Sequence, residues 1–328
     1  MSSYQPELNA AVAAVRQAAQ ITMLVREQLV SGHSVEKEDR SPVTIADYGA
    51  QALIFHHLHQ LFPDIPAVGE EDAASLREAD QSKLTTQLMH FIHQIDPALT
   101  QQQVLDAIDL GNHPGGATGR FWSLDPIDGT KGFLRNDQYA IALALIENGK
   151  PVLGVLGCPA LQLENGTETV GCLFAAAAGV DPFLEPIHAA APSHPVNTSD
   201  TAAANEAVFC ESVESGHSSH SASADIAAAL GTTREPVRMD SQCKYATVAR
   251  GIADLYLRLP TRKGYEEKIW DHAAGAYLVE AAGGTVTDID GQPLNFSIGR
   301  TLKENRGVVA SNGKFHQRVL DAIQKTGI

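Results

Sequence analysis

The chain has 328 residues, enough for one large domain or two ordinary ones, and its 44% hydrophobic and 19% charged residues allow a real core rather than a disordered chain. Its 24 Lys plus Arg against 39 Asp plus Glu give a formal net charge of -15. That excludes general affinity for nucleic acid polymers or an anionic membrane, where basic patches supply the attraction. Any phosphate must be met locally, by a few placed cations or by a metal held on some of the excess carboxylate, most of which reads as solvated surface.

Residues 5–30 read as a helix, with Ala11, Val15, Ala18, Thr22, Val25 and Leu29 at three- and four-residue steps. A second helix is expected over 45–61, with Thr44 as N-cap and Asp47 in its first turn, stopped by Phe62-Pro63-Asp64. Ala67-Val68 leads into Gly69-Glu70-Glu71-Asp72, residues 84–109 have helical character, and 112–119 (NHPGGATG) form a loop. Residues 121–124 read as a short strand with Asp125 at its exit. Strands follow over 139–147 and 152–157, joined by a turn at Asn148-Gly149, and again at 173–178. The Ala-, Ser- and Pro-rich stretch 186–206 reads as a linker or domain crossing. Beyond it, strands at 207–210, 236–239, 253–259, 285–288 and 307–310 alternate with helices at 221–230, 242–251 and 271–282, the mark of an α/β layer.

The four cysteines, Cys158, Cys172, Cys210 and Cys243, match no zinc or redox spacing and favour a reducing compartment. The first twenty residues lack a basic start followed by an apolar core, and no stretch of 18 apolar residues occurs. The expectation is a cytoplasmic protein that does not span a membrane.

The chemistry concentrates in Trp122-Ser-Leu-Asp-Pro-Ile-Asp-Gly-Thr-Lys-Gly-Phe133. In a turn stiffened by Pro126, Asp125 and Asp128 point at one spot, and the Ile127 carbonyl adds a third oxygen. Hard divalent cations take oxygen ligands, and Mg²⁺ takes only a few from protein. Gly129 lets backbone approach a ligand closely, and the Thr130 hydroxyl can orient a water. By itself the run is also compatible with an ordinary turn, since Asp-Pro and Asp-Gly pairs are common turn formers. Glu70 and Glu71 after an apolar strand, and Asp271 at a helix start in Trp270-Asp-His-Ala-Ala-Gly275, favour the metal. His56, His57 and His59 point different ways on one helix, and His217 with His220 has no zinc partner at the right spacing. No Walker-type loop, HExxH or GxSxG occurs.

The trio GEED (69–72), LDPIDGTKGF (124–133) and WDHAAG (270–275) resembles the lithium-sensitive, magnesium-dependent phosphatase superfamily of inositol monophosphatase and fructose bisphosphatase, over residues 5–320 or so. More narrowly, SPVTIADYGAQALI (41–54), KGFLR after DGT, ESVESGHSSH (211–220) and MDSQCKY (239–245) resemble its 3'(2'),5'-bisphosphate nucleotidase branch. The resemblance implies a mixed α+β and α/β fold, a layered αβαβα sandwich. It implies an N-terminal domain over 1–195 with most metal ligands and a C-terminal domain over 196–328 with nucleotide-binding residues. Glu70, Asp125, the Ile127 carbonyl, Asp128 and Asp271 would hold two or three Mg²⁺, with Glu71 in support. Asp47 and Thr130 would orient and deprotonate the attacking water. Gly129, Thr130, His217, Ser241, Lys244 and Arg258 would bind substrate, with Lys244 and Arg258 facing the phosphate that is kept.

The implied activity is removal of the 3'-phosphate from 3'-phosphoadenosine 5'-phosphate, with action on 3'-phosphoadenylyl sulfate left open. The alternatives are inositol polyphosphate 1-phosphatase or inositol monophosphatase activity, or a nucleotide sensor without turnover. The implied partner is a small-molecule nucleotide, with no nucleic acid polymer and no membrane, and the protein is expected to be a monomer.

Overall fold

In the computed structural model, residues 4–31, 41–78, 81–163, 170–188, 193–213, 220–260 and 264–327 are described. Helix α1 (Gln5–Val25) has Pro6 in its first turn, where a missing N–H is harmless. It buries Leu8, Ala11, Ala14, Val15, Ala18 and Val25, the expected stripe, and runs on as a π-helical turn over Arg26–Ser31 that periodicity does not indicate. By length and composition the span Gln5–Val30 is long enough and apolar enough to cross a membrane, against the expectation from the sequence. Over half of its most apolar window is buried inside the fold, as in a core helix.

Helix α2 (Ser41–Leu61) begins earlier than expected. Pro42 is tolerated in its first turn, so Thr44 lies inside the helix rather than capping it, and Asp47 falls in the second turn. The helical stretch expected over 84–109 is two helices, α3 (Ser82–Ile95) and α4 (Gln101–Asp109). Asp96-Pro97 separates them. Thr100 restarts the helix through a capping box with Gln103.

The first sheet has the order β1 (Ala67–Gly69), β2 (Arg120–Asp128), β3 (Ala140–Glu147), β4 (Lys150–Gln162), β5 (Val170–Ala177), β6 (Val180–Pro186) and β7 (His194–Pro195). The β1–β2 pair is parallel and the rest are antiparallel. Asn148 and Gly149 both have positive φ, 51° and 74°, which suits a tight hairpin between β3 and β4. The stretch 186–206 is not featureless: β7 pairs with β6 there, and Ala204–Glu206 forms a 3₁₀ turn.

The second sheet has the order β11 (Thr285–Thr287), β12 (Val308–Ser311), β10 (Leu255–Arg258), β8 (Phe209–Ser212) and β9 (Val237–Met239). Its helices are α6 (His220–Leu230), α7 (Cys243–Ala249), α8 (Ala273–Ala281) and α9 (His316–Thr326), the last not expected from the sequence. Trp122, Leu124, Leu143, Leu145 and Val155 pack one face of the first sheet against α1 and α2. Phe121, Ala142, Leu156 and Phe174 pack the other face against α7 and α8, which also meet Tyr256, Val308 and Ala310 of the second sheet. Phe209, Leu255, Leu257 and Val309 then face α6 and α9. The layers are α1/α2, sheet, α7/α8, sheet, α6/α9: the αβαβα sandwich. Sheets covered on both faces explain why 140–146 (AIALALI) is apolar throughout instead of alternating.

Candidate active site

Strand β2 does not end at Asp125, as the sequence suggests, but continues to Asp128. Asp125 pairs with Ala142 and Asp128 with Ala140, so β2 advances three residues while β3 advances two. Residues three apart on a regular strand face opposite ways. One extra residue restores a common face, and Pro126, which has no N–H for the ladder, stands where the bulge is needed. The two acids are therefore brought together by a bulged strand rather than by a turn. Because β1 runs parallel to β2 with Gly69 opposite Leu124, Glu70 emerges level with Asp125. Asp271 arrives from the other half of the chain, two residues before α8. Glu70, Asp125, Ile127, Asp128 and Asp271 line one cavity of about 540 Å³.

The electrostatics of these carboxylates are frustrated. Asp125 is 2% exposed, and its Oδ1 has no hydrogen-bond partner. Burial, then Glu70, Asp128 and Asp271, push its carboxyl well above the usual range. Burial, with Glu71 and Asp128, raises Glu70 to about 7. Burial also lifts Asp271 to about 7, with His272 opposing and Asp128 adding to the rise. Asp47, delivered by α2, is pushed up by burial, Glu71 and Glu70. Asp125, buried with one oxygen unpaired, stays ionised at neutral pH only beside a cation, and an all-oxygen donor set fits a hard divalent ion. The residues present fit such a metal.

Hydroxyl and basic side chains line the same cavity. Thr130 opens α5 (Thr130–Leu134) immediately after Gly129, whose φ is 93°. A β-carbon on Gly129 would lie 2.8 Å from the Ser241 Cβ, so glycine is required for both conformation and space. Ser241 is itself left-handed, with φ 63°. Lys244 is 5% exposed, and burial lowers its pKa while Asp128 opposes that shift. Its Nζ lies 5.3 Å from the Tyr256 ring centroid. Arg258 donates from Nε to Glu267 Oε1 at 2.9 Å; burial works against its charge, and Tyr256 and Glu267 outweigh burial. Thr130, Ser241, Lys244 and Arg258 all line the same cavity as the carboxylates. His217 lies outside the described residues. His56, His57 and His59 do not line this cavity, and His56 shares a hydrogen bond with Gln60 instead.

Several residues near the cavity carry little or no signal in the sequence. Gln242 donates its backbone N–H to Asp128 Oδ2 at 2.5 Å; its side chain donates to the Trp270 carbonyl at 2.9 Å and accepts the Gly275 N–H at 3.2 Å. Glu267, Asp271 and His272 bring ligand-type atoms within 4.8 Å of one another. Glu267 and His272, however, are already engaged: His272 Nδ1 meets the Tyr245 hydroxyl at 2.7 Å, and its Nε2 faces Glu267 Oε2 at 3.3 Å. Burial would raise Glu267, but His272 and Arg258 together hold it down at about 2. Arg135, in the KGFLR run, pairs with Asp240 and so ties that run to the Ser241 turn. Lys131 adds a further basic residue to the cavity lining. The spacing EEK-x-WDH was the only hint of Glu267, and nothing marked Gln242 as more than a helix-start residue.

The model of the inositol monophosphatase family matches residues 3–327. The chain belongs to the inositol monophosphatase family. It is similar to the 3'(2'),5'-bisphosphate nucleotidase of Schizosaccharomyces pombe, with 45% identity over 98% of this chain and 95% of the relative. The nucleotidase of the same name from Emericella nidulans is 42% identical over 98% of this chain and 99% of its own length. Among solved structures, the IMPase of Thermotoga maritima superimposes with a TM-score of 0.64 over 98% of each chain at 20% identity, a likeness of fold.

Proposed function

We propose that this member of the family is a 3'(2'),5'-bisphosphate nucleotidase that hydrolyses the 3'-phosphate of 3'-phosphoadenosine 5'-phosphate to AMP and phosphate. The observation that carries this reading is a single cavity lined both by the carboxylates Glu70, Asp125, Asp128 and Asp271 and by Ser241, Lys244 and Arg258. A substrate with two phosphates on one nucleoside suits such a mixed lining: one phosphate at the carboxylate-held metal, the other against fixed cations. The names of the relatives at 42–45% identity support the same substrate class.

In this reading Glu70, Asp125, the Ile127 carbonyl, Asp128 and Asp271 hold two or three Mg²⁺. When bound, Mg²⁺ supplies Lewis-acid stabilisation of phosphoryl charge and lowers the pKa of water. Thr130 Oγ1 orients the attacking water, and Asp47, on the helix α2 that packs against α5, takes its proton. The bond from water to phosphorus forms as the bond to the ribose 3'-oxygen breaks, with no phospho-enzyme, and the departing 3'-oxygen takes a proton from solvent to become the hydroxyl of AMP. Gly129 keeps the backbone open for the scissile phosphate. Lys244 and Arg258 hold the 5'-phosphate, and Ser241 and His217 meet the nucleoside. Glu71 supports the metal ligands from behind. We further propose a division into an N-terminal domain over 1–195 and a C-terminal domain over 196–328, a cytoplasmic monomer, inhibition by Li⁺, and a role in clearing the by-product of sulfate transfer.

The test is phosphate release from 3'-phosphoadenosine 5'-phosphate, 3'-phosphoadenylyl sulfate, inositol 1,4-bisphosphate and inositol 1-phosphate, each with and without Mg²⁺ and Li⁺. The expected result is Mg²⁺-dependent, Li⁺-sensitive release with the nucleotides preferred. Preference for an inositol phosphate would overturn the substrate assignment, and nucleotide binding without release would make the protein a sensor.

A further inference from the structure

Glu70 and Asp271 are 201 residues apart in sequence, yet both line the cavity. Neither lies within a strand or helix. Something must set their separation, and Arg300 touches the neighbour of each. Its Nη2 donates to the Gly69 carbonyl at 2.5 Å, one residue before Glu70. Its Nη1 donates to the carbonyls of Gly111 at 2.9 Å and His113 at 3.1 Å. These belong to the segment that flanks β1, where the Gly69 N–H is itself bonded to the Gly111 carbonyl at 2.9 Å. The same guanidinium lies 4.8 Å from the Trp270 ring centroid, one residue before Asp271. The Arg300 backbone carbonyl accepts the Ile269 N–H at 3.2 Å, two residues before Asp271.

We propose that Arg300 is a positioning residue that holds the Glu70 and Asp271 segments at the separation a shared metal site needs. It does not line the cavity, and it acts through backbone. The chemistry suits arginine alone: a planar fork reaches three carbonyls in different directions while its face stacks on an aromatic ring. A lysine ammonium in the same place reaches fewer carbonyls and loses the stack. Groups one step behind metal ligands are worth about 10–100-fold in metal affinity. The inference rests on the reading of Glu70 and Asp271 as ligands.

The experiment titrates Mn²⁺ into the metal-stripped full chain and reads free Mn²⁺ by EPR, for wild type, Asp125→Asn, Arg300→Met and Arg300→Lys. Thermal melting of each metal-free protein accompanies it. Arg300→Met keeps the apolar stem, and Arg300→Lys keeps the charge and serves where the first variant does not fold. The expected result is Mn²⁺ affinity weakened about 10–100-fold by either variant. The KM for the nucleotide at saturating metal should stay within about threefold, because Arg300 makes no contact in the cavity. Variants that melt earlier but bind Mn²⁺ within about twofold of wild type would give Arg300 a purely structural role and overturn the proposal. A wild type that binds no better than Asp125→Asn would overturn the metal reading and this inference with it.

Discussion

The Asp128 carboxylate accepts the backbone N–H of Gln242 at 2.5 Å, across 114 residues of sequence. The bond ties the bulged end of β2 to the turn that carries Ser241 and Lys244. The Gln242 side chain extends the tie to Trp270 and Gly275, on either side of Asp271. One residue thus links a carboxylate of the first sheet, the Ser241 turn and the start of α8. A charge-assisted bond of this kind is strong because the carboxylate is part-buried and the donor is backbone, which cannot move independently.

Asp125 carries the clearest prediction. Asp125→Asn should lower Mg²⁺-dependent phosphate release by more than about 100-fold, since even groups one step removed from a metal are worth 10–100-fold. The same variant should melt about 2 °C higher than wild type when both are metal-free. It removes a buried charge whose neighbours Glu70, Asp128 and Asp271 all repel it. Phosphate assays and calorimetry on one preparation test both halves. Near-normal turnover would remove Asp125 from the metal site.

Gly129→Ala should destabilise the fold by about 1–3 kcal/mol, because the residue sits at φ 93° and its new methyl would meet the Ser241 Cβ at 2.8 Å. The Ser241 turn must shift to make room, so the KM for the nucleotide should rise as well. Urea unfolding and steady-state kinetics measure the two effects. A stable variant with unchanged KM would mean that the turn yields freely.

Lys244→Ala should raise the KM for 3'-phosphoadenosine 5'-phosphate about 30-fold, the equivalent of about 2 kcal/mol, the low end for truncating one member of a buried charge pair. The KM for inositol 1-phosphate, which has no second phosphate, should change less than threefold. Equal effects on both substrates would exclude Lys244 from a phosphate-specific role.

His316 predicts a pH dependence away from the active site. Its ring nitrogens meet the Thr287 and Ser311 hydroxyls at 2.9 and 2.8 Å, and burial lowers its pKa below the ordinary 6.5. Below that ordinary value the unfolded chain binds a proton that the folded chain resists, so stability falls as pH drops through the interval down to the folded pKa. The metal-free melting temperature of wild type relative to that of His316→Gln should therefore fall between pH 7.5 and 5.5, the raised carboxylates of the cavity acting alike in both proteins. Parallel slopes would show that His316 titrates alike in both states.

The amino-acid sequence by itself determined which residues could do chemistry here. Glu70, Asp125, Asp128 and Asp271 stand in short runs whose residue types already limit their use, and Gly129, Lys244 and Arg258 stand close to them or to one another. Strands buried on both faces were legible as apolar runs, and α1 as a stripe, because burial is written locally in residue type. Tertiary structure alone decided how these groups meet. The β2 bulge that turns Asp125 and Asp128 to one side depends on pairing with β3, where Ala142 and Ala140 set the slip. Thr44 looked like a cap because capping chemistry is local, yet packing carried α2 back to Ser41. Gln242 and Arg300 act through hydrogen bonds to residues distant in sequence, and such bonds leave no periodicity or spacing to read. The carboxylates were visible in the sequence; the frame that holds them at one point in space was not, because it is made of contacts that exist only once the chain has folded.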